Sequence, residues 1–131
     1  MNDGPTPLIV LGVHHVSFEV GDLNVSVRFF TQVIGFDLIE RPDLGFPGAW
    51  LQTASVVLHL IEGGGSKKET SPKSRGDHLA LGVNAIDAAE DWLKYCGVTY
   101  VRKTQRSTGI EQIFLVDPDG HTIELNPAMM P

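Results

Sequence analysis

The sequence predicts an α+β protein made of two βαβββ modules in tandem, which curl into one mixed sheet with the helices on its outside. Three observations favour this fold. Strand-like and helix-like patterns follow one another in the same order in each half of the 131 residues. A stretch rich in glycine, serine and scattered charge, residues 63–76, separates the halves. The content of 42% hydrophobic and 20% charged residues is that of an ordinary globular domain.

The first module is expected at about residues 11–62, and it opens with a strand. The stretch LGVHHVSFEV (11–20) alternates as a strand does, with His14 on the apolar face and His15 on the opposite face. This alternation predicts that His14 packs in the core and that His15 points away from the helices. His15 is therefore a candidate functional residue.

A helix and three strands should complete the first module. Asp22 is a good N-cap, and the apolar stripe that follows it ends at Gly35, where a C′ glycine belongs. The stretch 36–42 is a short strand stopped by its proline. Residues 49–62 suggest two further strands, and on the last of them His59 alternates with core leucines.

The second module, at about residues 77–127, repeats the same order of elements. A strand at 77–83 leads to a helix that Asn84 can cap and Gly97 can close. Three further strands are expected in VTYVRK, GIEQIFLV and HTIELN. The chain, residues 1–131, is therefore expected to fold as a single domain composed of two similar halves.

Composition and charge exclude several classes of protein. Sixteen acidic and ten basic residues give a net charge of −6, which argues against nucleic-acid binding because that function needs a basic face. Cys96 is the only cysteine, so an internal disulfide is excluded, as suits a reducing compartment. No apolar run approaches the length of a membrane span, and the N-terminus lacks the pattern of a signal peptide. We therefore expect a cytoplasmic protein that binds neither nucleic acid nor membranes.

The two halves align by spacing as well as by the order of their elements. His15 in the first strand of module one matches His78 in the first strand of module two, and His59 in its last strand matches Glu124. His15 and His59 are 44 residues apart, and His78 and Glu124 are 46 residues apart, a difference that one loop can absorb. The four residues therefore occupy equivalent places in an internal repeat.

Each of these four side chains is expected on the sheet face opposite the helices. The carboxylate of Glu124 lies among apolar neighbours, where an unpaired charge would be costly. A single histidine on a strand is more often a hydrogen-bonded structural residue than a ligand. Three histidines and one carboxylate at equivalent, inward positions instead favour a divalent metal site, for which zinc, nickel, cobalt, manganese and iron are all compatible.

At both ends the chain resembles the vicinal oxygen chelate superfamily, which includes glyoxalase I, methylmalonyl-CoA epimerase, fosfomycin-resistance proteins and extradiol dioxygenases. The stretch HHVSFEVGDLNVSVRFFTQVIGF is similar to the family's opening strand and helix. DPDGHTIEL (117–125) is similar to its closing turn and strand. The resemblance spans about residues 11–127. It implies paired βαβββ modules, one divalent metal ion per site in the concavity of the sheet, and commonly a homodimer.

By position, the resemblance implies that His15, His59, His78 and Glu124 are the metal ligands. A protein of the glyoxalase I type would isomerise a glutathione adduct through a metal-bound enediolate, with Glu124 as the catalytic base. Proteins of that type usually carry glutamate or a similar group where this chain has His59. The substitution leaves Glu124 as the single carboxylate of the set.

His59 also bears on the choice between reactions. Fosfomycin-resistance proteins and dioxygenases of the superfamily use three ligands, which His15, His78 and Glu124 would supply. A fourth ligand leaves too few open positions for oxygen and a bidentate diol. A glyoxalase I-like lyase or isomerase therefore ranks first, a fosfomycin-type thiol transferase or hydrolase second, and an extradiol-type dioxygenase third. A non-catalytic small-molecule-binding protein, like the bleomycin-resistance members, stays open because fold does not fix function.

Basic residues suggest an anionic small-molecule substrate. Seven of the ten lie in the linker and in the loop before the penultimate strand: Lys67, Lys68, Lys73, Arg75, Arg102, Lys103 and Arg106. A solvated surface is the commoner explanation for such charge. His121, directly after the turn glycine, is expected to be exposed and without a role. Ser17, Glu19, Gln112 and Asn126 are expected to face the cavity, where they would contact the ligands or the substrate.

Overall fold

Two four-stranded mixed sheets, one from each half of the chain, form the fold in the computed structural model, which describes residues 4–64 and 70–128. The elements in chain order are β1 (Val16–Val20), α1 (Leu23–Arg28), a π-helical segment (Phe29–Ile34), β2 (Asp37–Ile39), β3 (Gly48–Thr53), β4 (Val56–Glu62), β5 (His78–Val83), α2 (Ile86–Cys96), β6 (Val101–Thr104), β7 (Glu111–Val116) and β8 (Thr122–Pro127). The predicted α+β fold with two βαβββ modules is confirmed. Within the described ranges, no helix is long and apolar enough to cross a membrane.

The two sheets have the same topology, and their registers match. Their strand orders are β1-β4-β3-β2 and β5-β8-β7-β6, with a parallel pair between the first and last strand of each module. In these parallel pairs Ser17 lies beside His59, and Ala80 lies beside Glu124. His15 stands two residues before Ser17, the partner of His59. His78 likewise stands two residues before Ala80, the partner of Glu124. The internal repeat therefore holds residue by residue at the candidate site.

The helices cover one face of each sheet, and this face carries the core. Helix α1 contacts β3 and β4, and α2 contacts β7 and β8. Leu58 and Leu60 are 0% and 1% exposed in this core, and burying a leucine side chain stabilises a fold by about 1.5–3 kcal/mol. Because strand side chains alternate, His59 between them points to the opposite face, as predicted.

Side-chain capping accounts for the start of one helix but not of the other. Asp22 caps α1, because its Oδ1 atom accepts a 3.2 Å hydrogen bond from the backbone N–H of Val25. The prediction that Asn84 caps α2 is wrong. Ala85 holds the N-cap position of α2, without a side-chain hydrogen bond to the helix. Gly97 ends α2 with a φ of 72°, as predicted for a C′ glycine.

The first strand is shorter than the sequence predicted. It begins at Val16 and not at residue 11, so His14 and His15 precede it, and both are exposed. The prediction that His14 packs in the core is therefore wrong. Strand alternation sorts side chains only where a neighbouring strand holds the backbone extended, and β4 pairs with β1 from Val16 onward.

Contacts between the two halves are made at the turn before β8 and at the helices. The carboxylate of Asp119 accepts hydrogen bonds from the backbone N–H of Gly21 at 2.9 Å and from the hydroxyl of Ser26 at 3.3 Å. The indole N–H of Trp92 on α2 donates to the carbonyl oxygen of Val33 at 2.9 Å. The aspartate of this turn therefore links module two to the start of α1 in module one.

Candidate functional site

The two candidate ligands of module one, His15 and His59, form a stacked pair. Their ring centroids are 3.8 Å apart with an angle of 16° between the planes. On its other face the ring of His59 stacks on Trp50, at 4.6 Å and 9°. Trp50 is the partner of His59 in the β3–β4 register, so the sheet itself sets this contact. The His59 ring is thus held between two flat rings.

The surroundings of His59 favour its neutral form. Partial burial lowers the pKa of His59, and the nearby positive charges of His15, His14 and Arg41 lower it further. A neutral imidazole keeps a ring lone pair, which is the form that binds a metal. Arg41 was not singled out from the sequence, which placed it in the predicted strand 36–42, whereas in the structure it lies on the loop after β2. Its guanidinium lies 4.9 Å from the ring centroid of Phe46.

The two candidate ligands of module two, His78 and Glu124, form a second pair. The Nε2 atom of His78 lies 3.4 Å from the Oε1 atom of Glu124. The Nδ1 atom of His78 lies 2.8 Å from the carbonyl oxygen of Gly76, which can only accept, so Nδ1 carries a hydrogen. The lone pair of the neutral ring is then on Nε2. A metal ion between Nε2 and Oε1 would bind a lone pair of each atom.

Two amide side chains hold the other oxygen of the Glu124 carboxylate. Its Oε2 atom accepts hydrogen bonds from Asn126 and, at 3.4 Å, from Gln112. Gln112 also donates to the side-chain oxygen of Asn126 at 2.8 Å. Glu124 is 8% exposed, so these bonds replace much of the water that a carboxylate would otherwise hold. Gln112 and Asn126, two of the residues expected to face the cavity, thus lie beside Glu124.

The two pairs do not meet within one chain. In the ranges 4–64 and 70–128, no group of three or more His, Cys, Asp or Glu side chains is close enough to hold one metal ion. Each module presents half of the predicted ligand set on the face away from its helix. The assignment of all four residues to one metal ion stays a prediction.

Comparison with known proteins identifies the family of the chain. Residues 12–125 match the family described as the Glyoxalase/Bleomycin resistance protein/Dioxygenase superfamily. The chain belongs to this superfamily. It is 33% identical over 129 residues to Glyoxylase I 4 of Arabidopsis thaliana, covering 94% of this chain and 74% of that protein. It is 34% identical over 121 residues to the lactoylglutathione lyase of Salmonella typhimurium, covering 85% of this chain and 88% of that enzyme.

A solved structure of another protein shares the fold. The fosfomycin resistance protein FosX of Listeria monocytogenes superposes with a TM-score of 0.75 at 18% identity, covering 93% of this chain and 97% of that one. At this identity the likeness concerns the fold. The resemblance that the opening and closing motifs of the sequence indicated is confirmed by the family match and by the named relatives.

His121 has a structural role that sequence reasoning missed. Its Nδ1 atom lies 2.7 Å from the Oδ2 atom of Asp117, and its ring stacks on Phe18 at 4.2 Å. The prediction that it is exposed and without a role is therefore wrong. The hydrogen bond to the buried Asp117 carboxylate raises the pKa of His121, although burial lowers it. In the sequence, the signal for this contact was that Asp117 and His121 are four residues apart.

One of the basic residues near the penultimate strand, Arg102, is engaged in ion pairs. The guanidinium of Arg102 contacts three carboxylates, at 2.9, 2.8 and 3.3 Å: Asp87, Glu90 and Glu111. This network ties α2 to β6 and β7, so Arg102 has a structural role in this superfamily member. Lys67 and Lys68, which were also expected to attract an anionic substrate, lie outside the described residues.

Proposed function

We propose that this protein is a metal-dependent lyase or isomerase of the glyoxalase I type, which acts on the glutathione adduct of a small 2-oxoaldehyde. The observation that carries the proposal is the buried Glu124 carboxylate, which directs one oxygen at the lone pair of His78. A relative named lactoylglutathione lyase, 34% identical over 85% of the chain, supports this reaction within the superfamily.

Four residues would hold the metal ion: His15, His59, His78 and Glu124. Three imidazole nitrogens and one carboxylate oxygen suit zinc, nickel, cobalt, manganese or iron. Bound there, the metal would act as a Lewis acid that polarises the substrate oxygens. The Gly76 carbonyl orients His78, and amide donors orient Glu124, which are outer contacts of the kind that fix metal ligands in place.

Glu124 would act as the base. The isomerisation moves one proton from a substrate carbon to its neighbour, with no net gain or loss of atoms. One carboxylate can accept this proton and return it. Gln112 and Asn126 occupy Oε2 with hydrogen bonds, so Oε1 is the oxygen that lies toward His78. The low exposure of Glu124 limits exchange of the transferred proton with water.

A complete site would require two copies of the chain. Each chain carries one His15/His59 pair and one His78/Glu124 pair, and the two pairs lie apart in the described residues of a single chain. A two-fold homodimer would join the first pair of each chain to the second pair of the other, which gives two equal sites. The separation of the pairs thus favours a dimer with shared sites.

The test is an assay with methylglyoxal and glutathione, run on metal-free protein reloaded in turn with nickel, zinc, manganese and cobalt. We expect thioester formation with at least one metal. Glu124→Gln should lower kcat/KM by about 10²–10⁴-fold, which is the contribution typical of a general base. Glu40→Gln, at an exposed position, is the matched control and should keep full activity. Absence of turnover with every metal would contradict the proposal.

A fosfomycin-modifying activity is the second candidate, and one observation favours it. His59 stacks on His15 and on Trp50, which suits a residue that positions His15, although the stacking leaves the in-plane nitrogens of His59 able to bind a metal. The remaining set of His15, His78 and Glu124 would match a three-ligand site. The same metal-loaded preparations should therefore be incubated with fosfomycin, with and without thiol. Opening of fosfomycin without turnover of methylglyoxal would replace the first proposal by this one.

A further inference from the structure

The guanidinium group of Arg41 is held in position by the loop that leads into β3. Its Nη2 atom donates a hydrogen bond to the carbonyl oxygen of Phe46 at 3.0 Å, and its Cζ atom lies 4.9 Å from the centroid of the Phe46 ring. Gly48 allows a close approach, because a Cβ atom added there would lie only 2.9 Å from Nη2. The guanidinium of the half-buried Arg41 therefore lies against the backbone of Gly48, at the start of β3.

The position of Gly48 tells which face of the sheet carries this charge. Gly48 stands two residues before Trp50 on β3, and alternate residues of a strand point to the same face. Trp50 stacks on His59, so this face is the one that carries the candidate ligands of module one. Two residues along a strand are about 7 Å apart. The guanidinium thus lies beside the stack of Trp50 and His59, on the face away from the helix.

Arg41 has no acidic partner in the described part of the chain. Its hydrogen bond and its ring contact there are both with Phe46. Asp43, which is close in sequence, instead accepts a 2.9 Å hydrogen bond from the backbone N–H of Gly45. A guanidinium has five N–H groups in a planar fork, and most of these are left for another acceptor. In a chain with a net charge of −6, a cation that is held in place without an acidic partner is a candidate site for an anion.

We propose that Arg41 binds a carboxylate group of the substrate and so determines which thiol adducts the site accepts. The inference rests on the proposed function, because the glutathione part of such an adduct carries two carboxylates. A guanidinium can donate two parallel hydrogen bonds to one carboxylate, which gives both strength and orientation. Arg102, one of the residues expected from the sequence to attract an anion, is already occupied by three carboxylates of its own chain.

The role of Arg41 is separate from proton transfer. Arg41 lies beside His59 in module one, whereas the proposed base Glu124 belongs to module two. The carboxylates of the adduct do not change during the isomerisation, so Arg41 binds substrate and transition state equally. Loss of the guanidinium should therefore raise KM and leave kcat unchanged.

The first test measures binding without turnover. S-methylglutathione, which carries both carboxylates but no reacting carbonyl group, is titrated into metal-free protein in a calorimeter. Arg41→Met should raise Kd by about 10–100-fold, because hydrogen bonds to a charged group are lost. Arg41→Lys keeps the charge but not the fork, so its Kd should lie between those of the parent and Arg41→Met.

Arg28→Met is the matched control for this test. Arg28 is exposed on α1, the helix that covers the opposite face of the sheet, so its loss should leave Kd unchanged. An equal Kd for the parent and Arg41→Met would overturn the proposal, as would a parent protein that does not bind the analogue.

Two amides of the analogue identify the carboxylate that Arg41 binds. One amide blocks the carboxylate of the glycyl residue, and the other blocks the α-carboxylate of the γ-glutamyl residue. Blocking the bound carboxylate should weaken binding to the parent by the factor that Arg41→Met costs, and should have no further effect in Arg41→Met. The other amide should bind the two proteins with the same relative loss. If both amides act alike on the parent and on Arg41→Met, Arg41 binds neither carboxylate and the proposal is wrong.

This inference and the proposed function can fail separately. Binding that depends on Arg41, without turnover of the methylglyoxal adduct with any metal, would contradict the lyase proposal alone. Turnover with the same KM in the parent and in Arg41→Met would contradict the role of Arg41 alone.

Discussion

Asp119 accepts a 2.9 Å hydrogen bond from the backbone N–H of Gly21, although the two residues are 98 positions apart in the chain. The same carboxylate accepts a bond from the buried hydroxyl of Ser26. Gly21 and Ser26 belong to module one, and Asp119 belongs to the turn before β8 in module two. The proline and glycine of this turn are visible in the sequence. The turn therefore leads into β8 and also joins the two modules.

The first prediction concerns this contact. Asp119→Ala should lower the free energy of unfolding by about 1–3 kcal/mol, because it leaves a backbone N–H and a buried hydroxyl without their acceptor. Urea denaturation followed by circular dichroism measures the change. Asp91→Ala, which removes an exposed carboxylate on α2, should change the stability by less than about 0.5 kcal/mol. Equal effects of the two substitutions would show that the contact between modules contributes nothing.

The second prediction is a pH dependence of stability that arises from His121. Its pKa in the folded protein is raised above the ordinary value of 6.5 by the Asp117 carboxylate. The protonated form is therefore stabilised by folding. This contribution is fully present below about pH 6.5 and is lost as the pH rises through the raised value.

Urea midpoints measured at a series of pH values test this expectation. The parent protein should lose stability relative to His121→Gln between mildly acidic and mildly alkaline pH. The difference between the two proteins should be largest at the acidic end. A difference that is constant, or that grows with pH, would contradict the assignment of the effect to protonated His121.

The third prediction concerns the orientation of Glu124. Asn126→Ala removes a donor to Oε2 but leaves the carboxylate and Gln112 in place. Metal affinity should fall by about 10–100-fold, the usual effect of losing an outer contact of a ligand. Isothermal titration of metal-free protein measures this directly. Asn84→Ala, at an exposed position that caps no helix, should bind metal as the parent does.

The fourth prediction separates a four-ligand site from a three-ligand site. If His59 binds the metal, His59→Ala and His78→Ala should lower the metal content of purified protein to the same extent. If His59 only supports His15 through ring stacking, His59→Ala should keep most of the metal. Elemental analysis of the two variants beside the parent distinguishes these outcomes. Trp50→Ala serves as the control, because it removes the other stacked ring and no potential ligand.

Local patterns predicted two helix ends correctly, although the same kind of signal failed at Asn84, because Ala85 holds the N-cap position of α2. The Asp22 cap and the terminal Gly97 depend on a few neighbouring backbone groups, and both are as expected. His14 was misplaced because alternation predicts a face only if a second strand pairs with the segment, and β1 begins at Val16. His121 was misjudged because its ring partner, Phe18, lies in the other module.

The sequence by itself determined the order of the elements, the repeat of the modules and the equivalence of His15 and His59 with His78 and Glu124. These follow from periodicity and spacing, which are properties of neighbours along the chain. Only the tertiary structure decided that the four side chains form two separate pairs within one chain. The distance between modules depends on how their surfaces dock, through contacts such as Asp119 with Gly21, and alternation along a strand carries no information about that docking.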